Sequence, residues 1–291
     1  MAVDKLQDKI RKSKCPIVLD MRILPQNIPE AFLREYNSFP SAYKQYCTDL
    51  LIGLKDIVPA VRFHFGTMSL FGPEGLSVLT ALLDFAHKQG YYVLLEGLQM
   101  LDSLHNEFAA QMLWSEDCKF YFDGLILTAY IGSDGIRPYA SCLKDSKKDL
   151  FVVARTANKS AAELQDLLSG SRLVHIATTE LANRYSADLV ERCGYSRVGI
   201  LAAASSPDSL KALRSRFPNM FIILDGSDYP NANAKYCSYA FDKLGHGAVA
   251  CVGSYITNAW QDEYAPEDYV ACAVRSAERM KKNLSRYITI L

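Results

Sequence analysis

The segment VPAVRFHFGTMSLFGPEGLSVLTALLDFAHKQGYYVLLE, residues 58–96, contains two short apolar runs separated by one amphipathic stretch. The runs, residues 58–65 and 91–96, are rich in β-branched and aromatic side chains, which is typical of strands buried on both faces. Between them, residues 74–89 carry leucines and alanines at helical spacing, and Gly90 ends the pattern. The segment therefore predicts a strand, a helix and a second strand.

The same alternation continues along the chain. Helical patterns recur at residues 160–168, 206–216 and 266–287. Eight strands, most of them followed by a helix, predict an α/β fold of the (β/α)8 TIM-barrel class, as one domain over residues 1–291. A doubly wound open sheet is the alternative, because a strand count read from sequence can be wrong by one or two, and a closed (β/α)8 barrel requires eight. The six further apolar runs lie at residues 16–20, 124–128, 150–155, 197–203, 221–225 and 248–253.

The composition argues against several classes of function. The 291 residues are 49% hydrophobic and 22% charged, which is the profile of a globular protein. Basic and acidic side chains number 32 each, so zero net charge gives no indication of a nucleic-acid partner. No apolar run approaches the ~20 residues of a membrane helix, and the charged first 14 residues lack the apolar core of a secretory signal. We therefore expect a cytoplasmic protein without a membrane partner.

Cysteine and histidine usage gives no indication of a metal site. The eight cysteines show no C-x-x-C spacing, and the five histidines are scattered. We expect reduced, mostly buried thiols and no metal ligands. No histidine is predicted as a catalyst.

Polar residues end most of the predicted strands. Barrel enzymes place their chemistry at the carboxyl ends of strands, so this pattern predicts a polar barrel mouth. The alternative is that any strand leaving a core ends in polar residues. The residues concerned are Asp20, Arg22, Arg62, His64, Glu96, Thr128, Arg155, Thr156, Ser205, Asp225, Ser254 and Tyr255.

Several segments resemble the type 2 branch of the orotidine 5'-monophosphate decarboxylases. LFVVARTANKSAAELQDL, residues 150–167, is similar to that family's FVLVRTSNPSAxELQDL stretch. LTAYIGSDGIRPY, residues 127–139, is similar to its VNPYLGSDSxxPF stretch, and residues 17–22, 58–76 and 241–256 extend the similarity in order. The resemblance implies shared ancestry and the same barrel, but it does not by itself imply the same chemistry.

The family's D-x-K-x-x-D motif is the main departure from this resemblance. In LLEGLQMLD, residues 94–102, the first acid, the lysine and the second acid align with Glu96, Leu98 and Leu101. The resemblance implies an electrostatic mechanism without cofactor or metal, in which the lysine protonates C6 of the pyrimidine as carbon dioxide leaves. Leucine has no proton to give, so we expect no decarboxylation of orotidine monophosphate.

The resemblance also assigns the other catalytic positions. Asp20 matches the acid after the first strand that contacts the ribose, and Arg62 stands where a second lysine of the charged network lies. With Glu96 they form the predicted catalytic set. We expect Arg62 and Glu96 to form an ion pair, with separate solvent-facing positions as the alternative. Leu98 and Leu101 are expected to fill the former pocket, and an apolar ligand pocket is the alternative.

The positions that bind substrate in the family have changed as well. Its T-S-N-P has become TANK at residues 156–159, and its phosphate loop P-G-x-G-A-Q-G has become DGSDYPN at residues 225–231. The loop's glutamine falls on Pro230, the phosphate-clamping arginine of NSSRGI falls on Tyr255, and two aspartates of the loop add repulsion. We therefore expect uridine monophosphate to bind weakly or not at all. The predicted substrate-binding residues are Thr128, Thr156, Asn158, Gly226, Gly253 and Ser254.

Three functions remain open at this stage. The first is a non-catalytic paralogue that binds a partner, as a homodimer or as a heterodimer with an active decarboxylase subunit, because the resemblance implies a dimer. The second is an active orotidine 5'-phosphate decarboxylase of pyrimidine biosynthesis with a relocated catalytic set. The third is a barrel that binds a nucleotide or another small ligand at its mouth for a new chemistry. We expect no cofactor.

Overall fold

The computed structural model describes residues 2–98 and 102–291, and eight parallel strands in it close into one barrel. Each strand pairs with its neighbours in chain order, and the last pairs with the first. The predicted runs and the TIM-barrel class are therefore confirmed. The strands are β1 (Ile17–Asp20), β2 (Ala60–His64), β3 (Tyr92–Glu96), β4 (Gly124–Thr128), β5 (Asp149–Val153), β6 (Ser196–Ala203), β7 (Met220–Asp225) and β8 (Ala248–Val252).

Helices surround the barrel. The helices predicted at residues 74–89 and 206–216 are present, and the C-terminal helix begins three residues later than predicted because Pro266–Asp268 form a 3-10 turn. The described helices are α1 (Ala2–Ser13), α2 (Glu30–Leu33), α3 (Phe39–Leu54), α4 (Phe65–Ser69), α5 (Gly72–Lys88), α6 (Ser103–Trp114), α7 (Arg137–Ser141), α8 (Val174–Asn183), α9 (Pro207–Arg216), α10 (Ala234–Ser238), α11 (Ser254–Thr257), α12 (Ala259–Glu263) and α13 (Tyr269–Ser285). Within the described residues, no helix is long and apolar enough to cross a membrane.

The helix predicted at residues 160–168 is wrong. A 3-10 turn, Lys159–Glu163, begins this segment, and a two-stranded antiparallel hairpin follows it. The side chain of Gln165 accounts for the difference, because its Oε1 accepts a hydrogen bond from the backbone N–H of Thr156 at 2.8 Å. This contact ties the segment to the end of β5 and overrides a helical composition.

Apolar side chains fill the barrel between its two ends. Every residue of β6, β7 and β8 is buried. A glycine in β6 makes room for an aromatic ring, since a Cβ on Gly199 would lie 2.8 Å from the ring of Phe151. The interior is thus a packed core, and the polar chemistry is confined to the ends of the strands.

Candidate functional site

A buried arginine lies at the centre of the barrel mouth. Arg62 in β2 is 2% exposed, and its Nη1 donates to Oδ1 of Asp225 at 2.8 Å. Its Nε donates to Oε2 of Glu96 at 2.7 Å, its Nη2 bonds the same oxygen, and Oδ2 of Asp20 lies 3.6 Å from Nη1. Carboxylates from β1, β3 and β7 therefore surround one guanidinium. The predicted ion pair of Arg62 with Glu96 is confirmed, and Asp20 lies beside it as expected.

These contacts fix the charge states of the two most buried partners. Burial acts to lower the pKa of Arg62, but the nearby Asp20 and Glu96 outweigh it and hold that pKa well above its ordinary value. Burial likewise acts to raise the pKa of Asp20, but His64 and Arg62 hold it well below its ordinary value. Each group favours the charged form of the other.

His64, which was not predicted as a site residue, lies inside this cluster. Its Nε2 is 2.5 Å from Oδ1 of Asp20, and its Nδ1 is 3.6 Å from Oε2 of Glu96. The side chain is only 13% exposed. A histidine between two carboxylates can accept and transfer a proton. The sequence signal was its place at the end of a strand, beside a residue already assigned to the mouth.

A second arginine closes the cluster on its solvent side. Arg22 places Nη2 3.4 Å from Oδ2 of Asp20 and 3.7 Å from Oδ1 of Asp225, and its Nη1 donates to the hydroxyl of Tyr229 at 3.0 Å. Its side chain is 40% exposed. In this described cluster, three carboxylates face two guanidinium groups.

A cavity of about 350 Å3 opens at this cluster. Thr156 and Asn158, two predicted substrate-binding residues, line it together with Arg62 and Glu96. The hydroxyl of Thr156 donates to Oδ1 of Asn158 at 2.5 Å. Thr128, at the end of β4, instead lines a neighbouring cavity of about 390 Å3, which it shares with Thr156. The mouth is thus polar at one wall and open enough for a small ligand.

The predicted residues Gly253 and Ser254 contact an internal carboxylate. Oδ2 of Asp228 accepts hydrogen bonds from the backbone N–H of Gly253 at 2.9 Å and of Tyr255 at 3.1 Å, and the hydroxyl of Ser254 lies 3.3 Å away. These donors lie at the start of α11, where backbone N–H groups lack helical partners. Asp228 therefore occupies the donors that an external anion would need.

Gly226 has a packing role after β7. Its φ is +63°, and a Cβ there would lie 2.7 Å from Cβ of Ala157 and 2.8 Å from the ring of Tyr229. Only glycine combines this backbone conformation with such close neighbours. Gly226 therefore lets the loops after β5 and β7 approach each other at the mouth.

The remaining motif positions are apolar. Leu98 is 8% exposed and packs in the hydrophobic core, as expected for a filled pocket. Leu101 lies outside the described residues. Among the described residues, no lysine lines the mouth cavity and no cluster of three histidine, cysteine or acidic side chains could hold a metal ion. All eight cysteines are free, and five are buried.

Comparisons with known proteins agree with the sequence resemblance. No protein-family model matches the chain. It is 25% identical over 289 residues to an orotidine 5'-phosphate decarboxylase of Clostridium novyi, covering 98% of this chain and 99% of that protein. It is 21% identical over 301 residues to one of Caldicellulosiruptor bescii, covering 98% of each.

Solved structures show the same fold. A Toxoplasma gondii protein assigned as an orotidine-monophosphate decarboxylase superposes with a TM-score of 0.77 at 17% identity, covering 96% of this chain and 98% of that one. The Leishmania donovani OMP decarboxylase superposes with a TM-score of 0.68 at 18% identity, covering 96% and 99%. The resemblance of this chain to the orotidine 5'-phosphate decarboxylase family is therefore confirmed over nearly its whole length.

Proposed function

We propose that this chain is an orotidine 5'-phosphate decarboxylase-like barrel that does not decarboxylate and acts as a binding or regulatory paralogue. The observation that carries the proposal is the burial of Leu98 in the core, at the position that the resemblance assigns to the proton donor. Decarboxylation leaves a carbon that must be protonated, and a positioned general acid contributes roughly 10²–10⁴-fold to such a step. An isobutyl side chain contributes none of this.

Arg62 does not replace the missing donor. Arg62 is held by Glu96 and Asp225 through direct hydrogen bonds. A guanidinium keeps its proton at all ordinary pH values, and the carboxylates around Arg62 hold its pKa higher still. Arg62 can therefore balance charge at the mouth, but it cannot supply a proton.

The phosphate end of the mouth supports the same proposal. Asp228 fills the backbone donors of Gly253 and Tyr255. A phosphate monoester placed there would have to displace this carboxylate or face its charge. Loss of one charge-assisted contact weakens binding by about 1.5–3 kcal/mol, so we expect no tight binding of uridine monophosphate.

An exposed apolar surface supports a partner-binding role. Leu104, Phe108 and Met112 lie four residues apart on α6 and are 72%, 64% and 40% exposed; we call them the α6 stripe. The stripe lies on one face of the helix because residues four apart are neighbours. Exposed apolar patches of this kind mark interaction sites. We propose that the stripe contacts a second copy of this chain or an active decarboxylase subunit.

A second candidate function is favoured by His64. This histidine lines the mouth cavity and lies between two carboxylates, so it could deliver a proton in an active decarboxylase with a relocated catalytic set. This candidate has less support than the first, because Asp228 still accepts the backbone hydrogen bonds of Gly253 and Tyr255 at the phosphate end.

A turnover assay separates the two candidates. Protein purified from a host lacking its own orotidine-monophosphate decarboxylase should show no carbon dioxide release above a blank. Turnover that is lost in a His64→Asn variant would instead establish the second candidate.

Sedimentation tests the partner role. The unmodified chain should assemble with itself or with an active decarboxylase subunit, and Leu104→Glu and Phe108→Glu should abolish that assembly. Ile52→Glu is the matched control, because Ile52 is 50% exposed on α3. A chain that stays monomeric and leaves the active subunit's activity unchanged would contradict the regulatory role.

A further inference from the structure

We propose that the barrel mouth binds a small organic cation, an ammonium group on a compact apolar body, in place of an anionic nucleotide. This ligand class rests on the proposed function, because a mouth that does not decarboxylate is not required to hold a nucleotide. The site is the cavity of about 350 Å3 at the Arg62 cluster. A carboxylate oxygen without a partner, an excess of negative charge and an apolar wall each favour such a ligand.

Glu96 has a carboxylate oxygen that the protein leaves unused. The Nε and Nη2 of Arg62 both bond Oε2 of Glu96, and Nδ1 of His64 approaches the same oxygen at 3.6 Å. Over the described residues, Oε1 has no hydrogen-bond or ion-pair partner, although Glu96 lines the cavity and its side chain is 31% exposed. A carboxylate accepts through both oxygens, and its bonds to cationic donors are the strong ones. The unused oxygen therefore suits the ammonium group of a ligand.

The charges around the cavity favour a positive ligand. Three carboxylates face two guanidinium groups in this cluster, and His64 adds a positive charge only when it is protonated. No lysine is among the described residues that line the cavity. A cleft lined by an excess of one charge concentrates ligands of the opposite charge. An ammonium group, with three donors and no acceptor, matches this excess of acceptors.

One wall of the cavity is apolar and determines the rest of the ligand. Val153, Ala157 and Leu201 line it beside the charged cluster. The polar groups of Thr156 and Asn158 bond each other at 2.5 Å and carry no charge. Ligand cavities are commonly lined by apolar groups, with a few polar groups that fix the ligand's orientation. We therefore expect a ligand with an apolar body next to its ammonium group.

Arg22 opposes this ligand. Its guanidinium lines the cavity, and its side chain is 40% exposed. Oδ2 of Asp20 and Oδ1 of Asp225 lie 3.4 and 3.7 Å from its Nη2, so its positive charge is offset only in part. Like charges repel across such a cleft. Removal of the Arg22 charge should therefore strengthen the binding of a cation, whereas removal of the Glu96 charge should weaken it.

Calorimetric titration of the full chain with three probes of similar shape tests the ligand class. Benzylamine, benzyl alcohol and benzoate share a phenyl ring and are positive, neutral and negative in turn. We expect benzylamine to bind saturably and roughly tenfold tighter than benzyl alcohol, because only the ammonium group forms a charge-assisted bond with Glu96. Benzoate should bind most weakly. Absence of saturable benzylamine binding, or equally tight binding of benzoate, would overturn the proposal.

Three variants locate the ammonium group. Glu96→Gln should weaken benzylamine binding by roughly tenfold and leave benzyl alcohol binding unchanged. Glu116→Gln is the matched control, since Glu116 is exposed, does not line the cavity and loses the same charge. Arg22→Met should tighten benzylamine binding several-fold. Equal losses in the two glutamine variants, an equal loss of both probes in Glu96→Gln, or weaker benzylamine binding in Arg22→Met would each contradict the proposal.

The titration and the turnover assay fail independently. Carbon dioxide release by the unmodified chain would contradict the proposed function, whatever the affinity for benzylamine. A chain that shows no turnover and binds no benzylamine would keep the proposed function and lose the cationic ligand. Circular dichroism of every variant shows that a change in affinity reflects binding and not folding.

Discussion

Two arginines of this barrel are equally buried, but they lie at opposite ends of the strands and are satisfied in different ways. Arg197, near the start of β6, donates to the carbonyl oxygens of Leu143 at 2.8 Å, Ser146 at 2.8 Å and Lys148 at 3.1 Å. Arg62, toward the end of β2, donates to carboxylates at the mouth. Both side chains are 2% exposed.

The difference separates a structural role from a chemical one. Carbonyl oxygens carry no net charge and are fixed by the backbone, so the hydrogen bonds by which Arg197 joins a loop to β6 do not titrate, and its nearest carboxyl oxygens, of Asp149 and Glu191, lie beyond hydrogen-bond distance at 3.7 and 3.9 Å. The carboxylates around Arg62 carry net charge and come from three strands beside a cavity, so they form a charged wall that a ligand can reach. Buried ionic clusters are costly to desolvate and often add little to stability. Their presence at the mouth therefore indicates a charged site and not a requirement of the fold.

The largest effect on stability is expected from removing Arg62. Arg62→Met leaves Asp20, Glu96 and Asp225 facing each other without their cation, which should lower the free energy of unfolding by about 3–5 kcal/mol at pH 7. The loss should shrink at pH 5, because the crowded carboxylates can then take up protons. Urea denaturation at both pH values measures it.

Arg197→Met is the matched comparison for that experiment. It removes hydrogen bonds to carbonyl groups, and of the two carboxyl groups near its Nε, Asp149 at 3.7 Å has a pKa that burial raises and Glu191 lies 3.9 Å away. Its destabilisation should therefore change less between pH 7 and pH 5 than that of Arg62→Met. The contrast between Arg62 and Arg197 would be wrong if the destabilisation of both variants depended on pH in the same way.

A single carboxylate of the mouth should have a smaller effect. Neighbouring cations hold the pKa of Asp20 below its ordinary value even though burial opposes this. A depressed pKa contributes stability that is present above the unfolded value of about 3.9 and is lost as pH falls through the folded value. Asp20→Asn should therefore cost about 1–3 kcal/mol at pH 7 and progressively less below pH 4. Asp117→Asn, at an exposed position, is the control.

A carboxylate at the other end should behave in the opposite way. Asp149 is fully buried at the start of β5, and burial raises its pKa well above the ordinary value despite the Tyr92 hydroxyl at 2.6 Å. A raised carboxyl pKa gives stability that is present below the unfolded pKa and is lost as pH rises through the folded one. Asp149→Asn removes this loss and still accepts the hydrogen bond from Tyr92. Its stability relative to the unmodified chain should increase from pH 4 to pH 8, and a decrease would contradict the assignment.

The barrel itself could be predicted from the sequence because the evidence for it is spread over eight separate segments. Each of the eight runs is short, apolar and separated from the next by a longer segment, so an error in one element leaves the count intact. Arg62 and Glu96 could be paired because the resemblance implies a barrel geometry that brings these two strand ends together. The helix predicted at residues 160–168 was wrong because one side-chain contact, between Gln165 and the backbone of Thr156, outweighs the helical composition of the segment.

The rest of the site depends on loop geometry that no periodic pattern encodes. His64 and Asp225 ended predicted strands, but only the folded structure shows that both contact the same small cluster. Asp228 was expected only to repel a phosphate. Its bonds to Gly253 and Tyr255 depend on the turn after β7, which local sequence does not specify.

The smallest change in activity is expected at Leu98, where the resemblance places a lysine. Leu98→Lys restores the side chain that the resemblance assigns to the proton donor, but we expect turnover of orotidine monophosphate to remain at the level of a blank. Leu98 is 8% exposed and packed in the core, and an amine placed there loses part of its charge through desolvation. Asp228 would still occupy the donors at the phosphate end, so the substrate would remain poorly bound. The assay is carbon dioxide release by the variant beside the unmodified chain, with circular dichroism to show that both are folded. Measurable turnover by Leu98→Lys alone would mean that the mouth still binds the nucleotide, and that the loss of one lysine is the whole difference from an active enzyme.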